Sequence, residues 1–458
     1  VHARLLAAIV ATAAGDYAAC RRYLEAAAQT RDAGPVELRV QGWVAMARLR
    51  LHAEDWRGAA AAARAGLRVL SDYQATLGGT LARLHISGHG AELASIGLRL
   101  ARESGSARRL FDWMELTRAG ALRSQPSGGA ADAQLSSHLM LFREADEQLR
   151  RATLNGEPTH TMTRRRMELQ ERIRNAALRK TGSSADRLQS ARAGEVLDAL
   201  GGHTLVEFGE TEAGDLLAVR LGGGRVRQFE LGPIAAVRQE VDSLTMALRR
   251  IAARSGSAAS RTAALAVVAD AARELNARLV APLRLAGEPV AVVPIGPLYS
   301  LPWSLLPGLA SAEIVVSPSA ALWLQRARRR PERPTAASVI AGPRLDYSSE
   351  EVARVAAVYE RSLQLVEPTA EAASRAIDGA TIAHVACHGS FRADNPLFSS
   401  LEMSDGPLTI YDLEAVMQAP EMMVLSACDA GANTSSGGHE VMGPVSYTHL
   451  RAHETYIT

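Results

Sequence analysis

Lysine is all but missing. Lys180 is the single one in 458 residues, and arginine supplies the rest of the 51 basic side chains. No Gly-Lys-Ser/Thr run exists, which excludes a phosphate-cradling P-loop and the usual route to ATP hydrolysis. Cysteine is also scarce. Cys20, Cys387 and Cys428 form no CxxC pair, which argues against a disulfide framework and fits a reducing cytoplasm. A net charge of +2 gives no pull toward nucleic acid or an anionic membrane. No apolar run reaches the length of a membrane span and no secretory signal opens the chain. The first residue is Val1, not Met, so the natural N-terminus is expected to lie upstream.

What is abundant comes first in the chain. From Leu5 to Leu122 the sequence is Ala-rich and helix-forming. Gly15-Asp16-Tyr17-Ala18-Ala19 is echoed by Glu54-Asp55-Trp56-Arg57-Gly58-Ala59-Ala60. Each puts an acidic-aromatic pair at a helix start, followed by small residues that permit close packing. The offset is 39 residues, longer than the tetratricopeptide period of about 34. A weaker third unit runs from Ser104 through Phe111, Trp113 and Leu116. Residues 1–122 therefore read as an irregular tetratricopeptide-like array, incomplete at its front, or as a plain helical bundle. Both readings bury Tyr17, Trp43 and Trp56; only the array provides a concave groove for a partner peptide.

Residues 123–182 read as a Pro/Gly/Ser linker followed by two charged helices broken near Asn155-Gly156-Glu157-Pro158. The Arg164-Arg165-Arg166 run suits a solvated helix face. Arg328-Arg329-Arg330, before a proline, suits a helix C-terminus. After Ser183-Ser184 short strands begin: Leu205 to Phe208, Leu216 to Arg220 and Val226 to Glu230, with Gly222-Gly223-Gly224 as a hairpin turn. Helices are expected from about Ile234 to Leu279. Strand and helix then alternate through Val290 to Val293, Ala320 to Arg329, Ser338 to Ala341, Ser348 to Arg361, Thr369 to Ile377, Ile382 to Ala386, Ile410 to Met417 and Met422 to Leu425. Such alternation builds βαβ units and a mostly parallel sheet.

Two short apolar runs end in reactive side chains: His384-Val385-Ala386-Cys387-His388-Gly389 and Val424-Leu425-Ser426-Ala427-Cys428-Asp429. In an open α/β sheet, chemistry collects just past the carboxyl ends of strands, where His388 and Cys428 would sit. A thiol and an imidazole on neighbouring strand ends are the minimum for cysteine-nucleophile catalysis. Cys387, one residue from His388, should face the other way and pack. His384 reads as a satisfied core histidine and Cys20 as helical core. Zinc on His384, Cys387, His388 and Cys428 is disfavoured, because three of the four share one strand whose alternating faces prevent convergence. No cofactor is called for.

Several stretches in order resemble the CHAT family, a bacterial branch of caspase-like cysteine peptidases often found behind tetratricopeptide repeats. They are Leu205-Val206-Glu207-Phe208, Val290 to Pro307, Ser317-Pro318-Ser319, Ala341-Gly342-Pro343, His388-Gly389, Asn395-Pro396-Leu397 and Leu425-Ser426-Ala427-Cys428. The resemblance implies a caspase-like α/β domain, a mostly parallel sheet with flanking helices over residues 183–443, behind the all-α repeat domain. It implies Cys428 as nucleophile, His388 as acid-base partner, and the Gly389 and Cys428 amides as oxyanion donors. The helical repeats would recruit a protein substrate or regulator. The alternative is a non-catalytic scaffold with the same fold.

Gly437-Gly438-His439-Glu440-Val441-Met442-Gly443 resembles the helix start behind the family's nucleophile. The family would continue with that helix and further strands, so this fragment is expected to be impaired as an enzyme. Residues 444–458 turn abruptly rich in Tyr, Thr and His and read as a foreign tail. His449 and His453 stand at i and i+4 there without a third ligand, which makes no metal site.

Overall fold

The structure is a computed structural model. It describes residues 1–118, 133–179, 189–253, 257–285, 287–329, 335–416, 418–427, 434–436, 440–442 and 454–457. Most of the linker, the Ser183-Ser184 transition, Arg330, Cys428 and residues 437–439 and 443–453 lie outside these.

The N-terminal region is all helix: α1 (His2–Ala13), α2 (Tyr17–Ala28), α3 (Val36–His52), α4 (Trp56–Thr76), α5 (Thr80–Ser87), α6 (Ala91–Glu103) and α7 (Ala107–Thr117). The echoed motifs do start helices. Asp16 caps the amide of Ala19 and Asp55 that of Gly58, each at 2.8 Å. That geometry overturns one expectation. With the aspartate as cap, the aromatic is the first residue of the helix and projects away from the packed face. Tyr17 is 67 % exposed and Trp56 53 % exposed, and Trp43 is only half-buried. Small residues and leucines make the core instead, among them Ala27, Val40, Ala63 and Leu93.

Two charged helices follow, α8 (Ala133–Leu154) and α9 (His160–Leu178), broken where Asn155 to Pro158 interrupt them, and then α10 (Ala193–Ala199). Next come β1 (Thr204–Glu210), β2 (Asp215–Gly222) and β3 (Arg225–Pro233), α11 (Ile234–Ala252), α12 (Ala258–Leu275), β4 (Val290–Val293), β5 (Ile314–Val316) and α13 (Ala320–Ala327). Gly223 and Gly224 both take positive φ, as a two-residue type I′ hairpin requires. These strands form a mixed sheet ordered β3-β2-β1-β4-β5. One face packs on α11 and α12, and the other shares a core with the helical region, α10 and α13.

The remaining elements are β6 (Ala336–Ala341), α14 (Ser348–Ala356), β7 (Arg361–Val366), α15 (Ala370–Ile377), β8 (Ile382–Ala386), β9 (Gly389–Ser390), β10 (Ser400–Met403), β11 (Gly406–Thr409), α16 (Ile410–Leu413), β12 (Met422–Ser426), β13 (Thr434–Ser436), β14 (Glu440–Met442) and β15 (Glu454–Ile457). A second sheet, parallel throughout, runs β15-β12-β8-β6-β7. α14 covers one face; α15, α8 and α9 cover the other. The expected alternation is thus divided between two five-stranded sheets.

Three expectations need correction, and one further pairing is added. The helix from Ser348 stops at Ala356, because Arg361 already opens a strand, β7, whose exposure hides the usual apolar alternation. The helix from Ile410 is a single turn ending at Leu413. Glu440–Met442 pair antiparallel with Thr434–Ser436 and so form a ribbon, not a helix start. Within the span read as a foreign tail, Glu454–Ile457 add a parallel edge strand to β12.

Candidate active site

The carboxyl ends of β6, β8 and β12 meet at one edge of the second sheet. β8 and β12 are parallel neighbours in register, Met422 opposite Ile382 and Ser426 opposite Ala386. The Cys387 amide then donates to the Ser426 carbonyl at 3.2 Å, and the Gly342 amide to the Ala386 carbonyl at 2.7 Å. Beyond those last paired residues, His388 and Cys428 each stand two positions further along the chain. Cys428 lies outside the described residues.

The alternation of β8 sorts its side chains. Ile382 and Ala386 pack toward α14; Ala383, Val385 and Cys387 pack into the opposite core. His384 is buried on its strand, its Nε2 2.8 Å from Glu351 Oε1 in the first turn of α14, a satisfied core histidine. Cys387 is 1 % exposed, and burial pushes its thiol up to about 12, so at neutral pH it is inert. Its neighbour in the third dimension is Gly342: a Cβ built there would stand 2.3 Å from Cys387 Cβ and 2.9 Å from the Glu402 carbonyl. Only glycine lets β6 and β8 close so tightly.

His388 is half-buried and held at two points. Its ring Nε2 donates to the Arg344 carbonyl at 2.8 Å, and its own carbonyl accepts from the Glu402 amide at 2.8 Å. A carbonyl can only accept, so Nε2 carries the proton and the neutral ring leaves its lone pair on Nδ1. Arg344 reaches this position through a left-handed backbone, φ 56°, and its guanidinium pairs with the Glu402 carboxylate. Arg344 therefore holds the imidazole of His388 and Glu402 its main chain. Sequence reasoning missed both. Arg344 follows the quoted Gly342-Pro343, but nothing in its side chain signals that its carbonyl is the working group.

Gly389 opens the short strand β9, which pairs with β10. The Glu402-to-His388 bond marks that pair as hydrogen-bonded, so the next pair, Gly389 opposite Leu401, is of the open kind. The Gly389 amide accordingly points away from β10, with no side chain of its own to block an approach. Among the described residues, no group of three His, Cys, Asp or Glu stands close enough to hold a metal ion. Three of the four residues weighed as zinc ligands are separated: His384 is spent on Glu351, Cys387 faces the opposite core and His388 is tied to Arg344.

Residues 269–451 match the family model of the CHAT domain. The match opens inside α12, so β1–β3 and α11 precede it, and it closes beyond Gly443. No curated protein matches the chain. Among solved structures, the Saccharomyces cerevisiae separase–securin complex aligns at 9 % identity with a TM-score of 0.40. That alignment covers 98 % of this chain and 42 % of the other, so this chain spans under half of its length.

Proposed function

We propose that the protein is a cysteine endopeptidase of the caspase-like class working through a His388/Cys428 dyad. What carries the reading is the in-register pairing of β8 with β12, which brings the two strand ends preceding these residues side by side. The Cys428 thiol gives its proton to His388 Nδ1, and the thiolate adds to the scissile carbonyl carbon. The resulting oxyanion takes hydrogen bonds from the Gly389 and Cys428 amides. As the C–N bond breaks, the imidazolium returns the proton to the departing amine, leaving an acyl-enzyme that water hydrolyses with His388 as base. Throughout, the Arg344 carbonyl holds Nε2–H and spreads the positive charge. The N-terminal helices recruit a protein substrate or regulator, and the setting is the reducing cytoplasm that three cysteines without a CxxC pair suit.

The test is alkylation of the purified protein by iodoacetamide across pH and, separately, cleavage of a peptide library by unalkylated protein in an intact version. Cys428 should react far faster than Cys20, which is 2 % exposed, and His388→Ala should slow it about tenfold at pH 7. In an intact version of the protein, Cys428→Ala and His388→Ala should each abolish cleavage. Labelling of Cys428 no faster than that of Cys20, with no peptide cut, would establish the scaffold reading instead.

A further inference from the structure

Where α7 meets the first sheet, two carboxyl groups and a guanidinium are enclosed together. Glu115 and Glu207 are both 0 % exposed and Arg118 is 4 % exposed. The Glu115 carboxylate spans the start of α13, one oxygen accepting from the Ala320 amide at 2.7 Å and the other from the Ala321 amide at 3.0 Å. Arg118 donates its Nε–H to Glu207 Oε1 at 2.8 Å, and its other two nitrogens donate to the Pro294 and Phe208 carbonyls. Among the described residues no donor reaches Glu207 Oε2, which is buried. We infer that Glu207 carries a proton on Oε2 while this junction is closed, so that parting α7 from the first sheet releases a proton and rising pH loosens the contact.

Charge and hydrogen bonding decide which carboxyl is neutral. One guanidinium balances one carboxylate, and a second, unbalanced charge in a buried place is costly. Glu115 meets two amides at the positive end of a helix, which suits its ionised form. Glu207 meets a single donor, Arg118 Nε, and its other oxygen has none. A proton on that oxygen cancels the surplus charge and keeps the bond to Arg118, since Oε1 still accepts. Val219 of β2 and Val293 of β4, both uncharged, flank Glu207 in the ladder. The third carboxylate acting on it, Asp112 of α7, accepts from the Ala193 amide of α10 at 3.1 Å and interacts with Arg64 of α4. Burial and the neighbouring Glu115 charge outweigh Arg118 and hold the Glu207 carboxyl well above its usual 4.5.

Once α7 moves off, Glu207 regains water and loses the field of Glu115, so its carboxyl returns toward 4.5. The closed junction therefore binds the extra proton. Its advantage is complete below about 4.5 and is lost as pH rises through the raised value. Asp112, Glu115 and Arg118 all belong to α7, so the seating of this helix on the sheet is what the proton controls.

Hydrogen exchange of the whole chain from about pH 5 to 7, corrected for intrinsic rates, reads the effect in peptides covering residues 107–117 and 204–210. In the wild-type chain their opening constant should rise by up to about tenfold per pH unit. Glu207→Gln mimics the protonated carboxyl, its amide oxygen accepting from Arg118, and should remove the pH dependence while matching wild-type protection at about pH 5. An infrared stretch of a protonated carboxyl in the folded wild type at about pH 6, lost on thermal unfolding, reports the proton without recourse to a variant. Wild-type opening that is independent of pH in these peptides overturns the proposal. So does a Glu207→Gln chain that keeps the wild-type slope, or a folded wild type without the protonated-carboxyl stretch.

Discussion

Replacing Gly342 by alanine should loosen the second sheet at its working end. The added Cβ would stand 2.3 Å from Cys387 Cβ, 2.9 Å from the Glu402 carbonyl oxygen and 3.0 Å from Cys387 Cα. None of these is the far end of a flexible side chain, so backbone must move. β6 and β8 are held there by the Gly342-to-Ala386 bond at 2.7 Å, which leaves little slack. Overpacking a close contact costs about 1–3 kcal/mol, and the backbone atoms involved place this case in the upper half of that range. Read by hydrogen exchange, about 2–3 kcal/mol corresponds to a roughly 30- to 150-fold loss of protection in the affected unit. Peptides covering residues 336–342 and 382–390 should lose protection, while those from β1 and β4 in the first sheet should not. Gly194→Ala in α10 is the control, because a Cβ there meets nothing within 4 Å. It should be neutral or slightly stabilising. Unchanged protection of β6 and β8 in Gly342→Ala would refute the claim that this close approach organises the strand ends.

Two further outcomes follow from buried groups. The Cys387 thiol, pushed up to about 12 by burial, stays protonated where an unfolded thiol ionises near 9.0, so the unfolded state sheds its proton first. Stability should therefore fall as pH rises from about 9 toward 12, by up to about 1.4 kcal/mol per unit, and Cys387→Ala should flatten that part of a urea-midpoint-against-pH curve. Arg118, at the end of α7, is buried and donates to Glu207 Oε1 at 2.8 Å, the Pro294 carbonyl at 2.7 Å and the Phe208 carbonyl. Arg118→Ala should cost about 3–5 kcal/mol by stranding these acceptors in the junction between the helical region and the first sheet. Arg118→Lys should not rescue it in urea titrations, since a point charge cannot replace a fork reaching three acceptors.

Much of this architecture is legible in the chain because local signals agree with the fold. Apolar runs bounded by Gly or Asp gave β8 and β12 to within a residue, and Asn155 to Pro158 marked the break between α8 and α9. The twin Gly-Asp and Glu-Asp motifs announced two helix starts through their caps. The burial of their aromatics was misjudged, because a cap dictates where a helix begins and not which side faces a neighbour. β7 escaped notice because an exposed edge strand carries little of the apolar alternation by which strands are recognised.

Residue order alone determined that an imidazole and a thiol would each follow a buried strand, and that Cys387 would turn from the face its neighbours present. Only the tertiary structure decided which strands became neighbours and what holds the imidazole. Register between β8 and β12 is a long-range choice made by packing on both faces of the sheet. The group that fixes the tautomer of His388 is a main-chain carbonyl, present at every residue. It acquires its role because a left-handed turn at Arg344 and an ion pair to Glu402 aim it there.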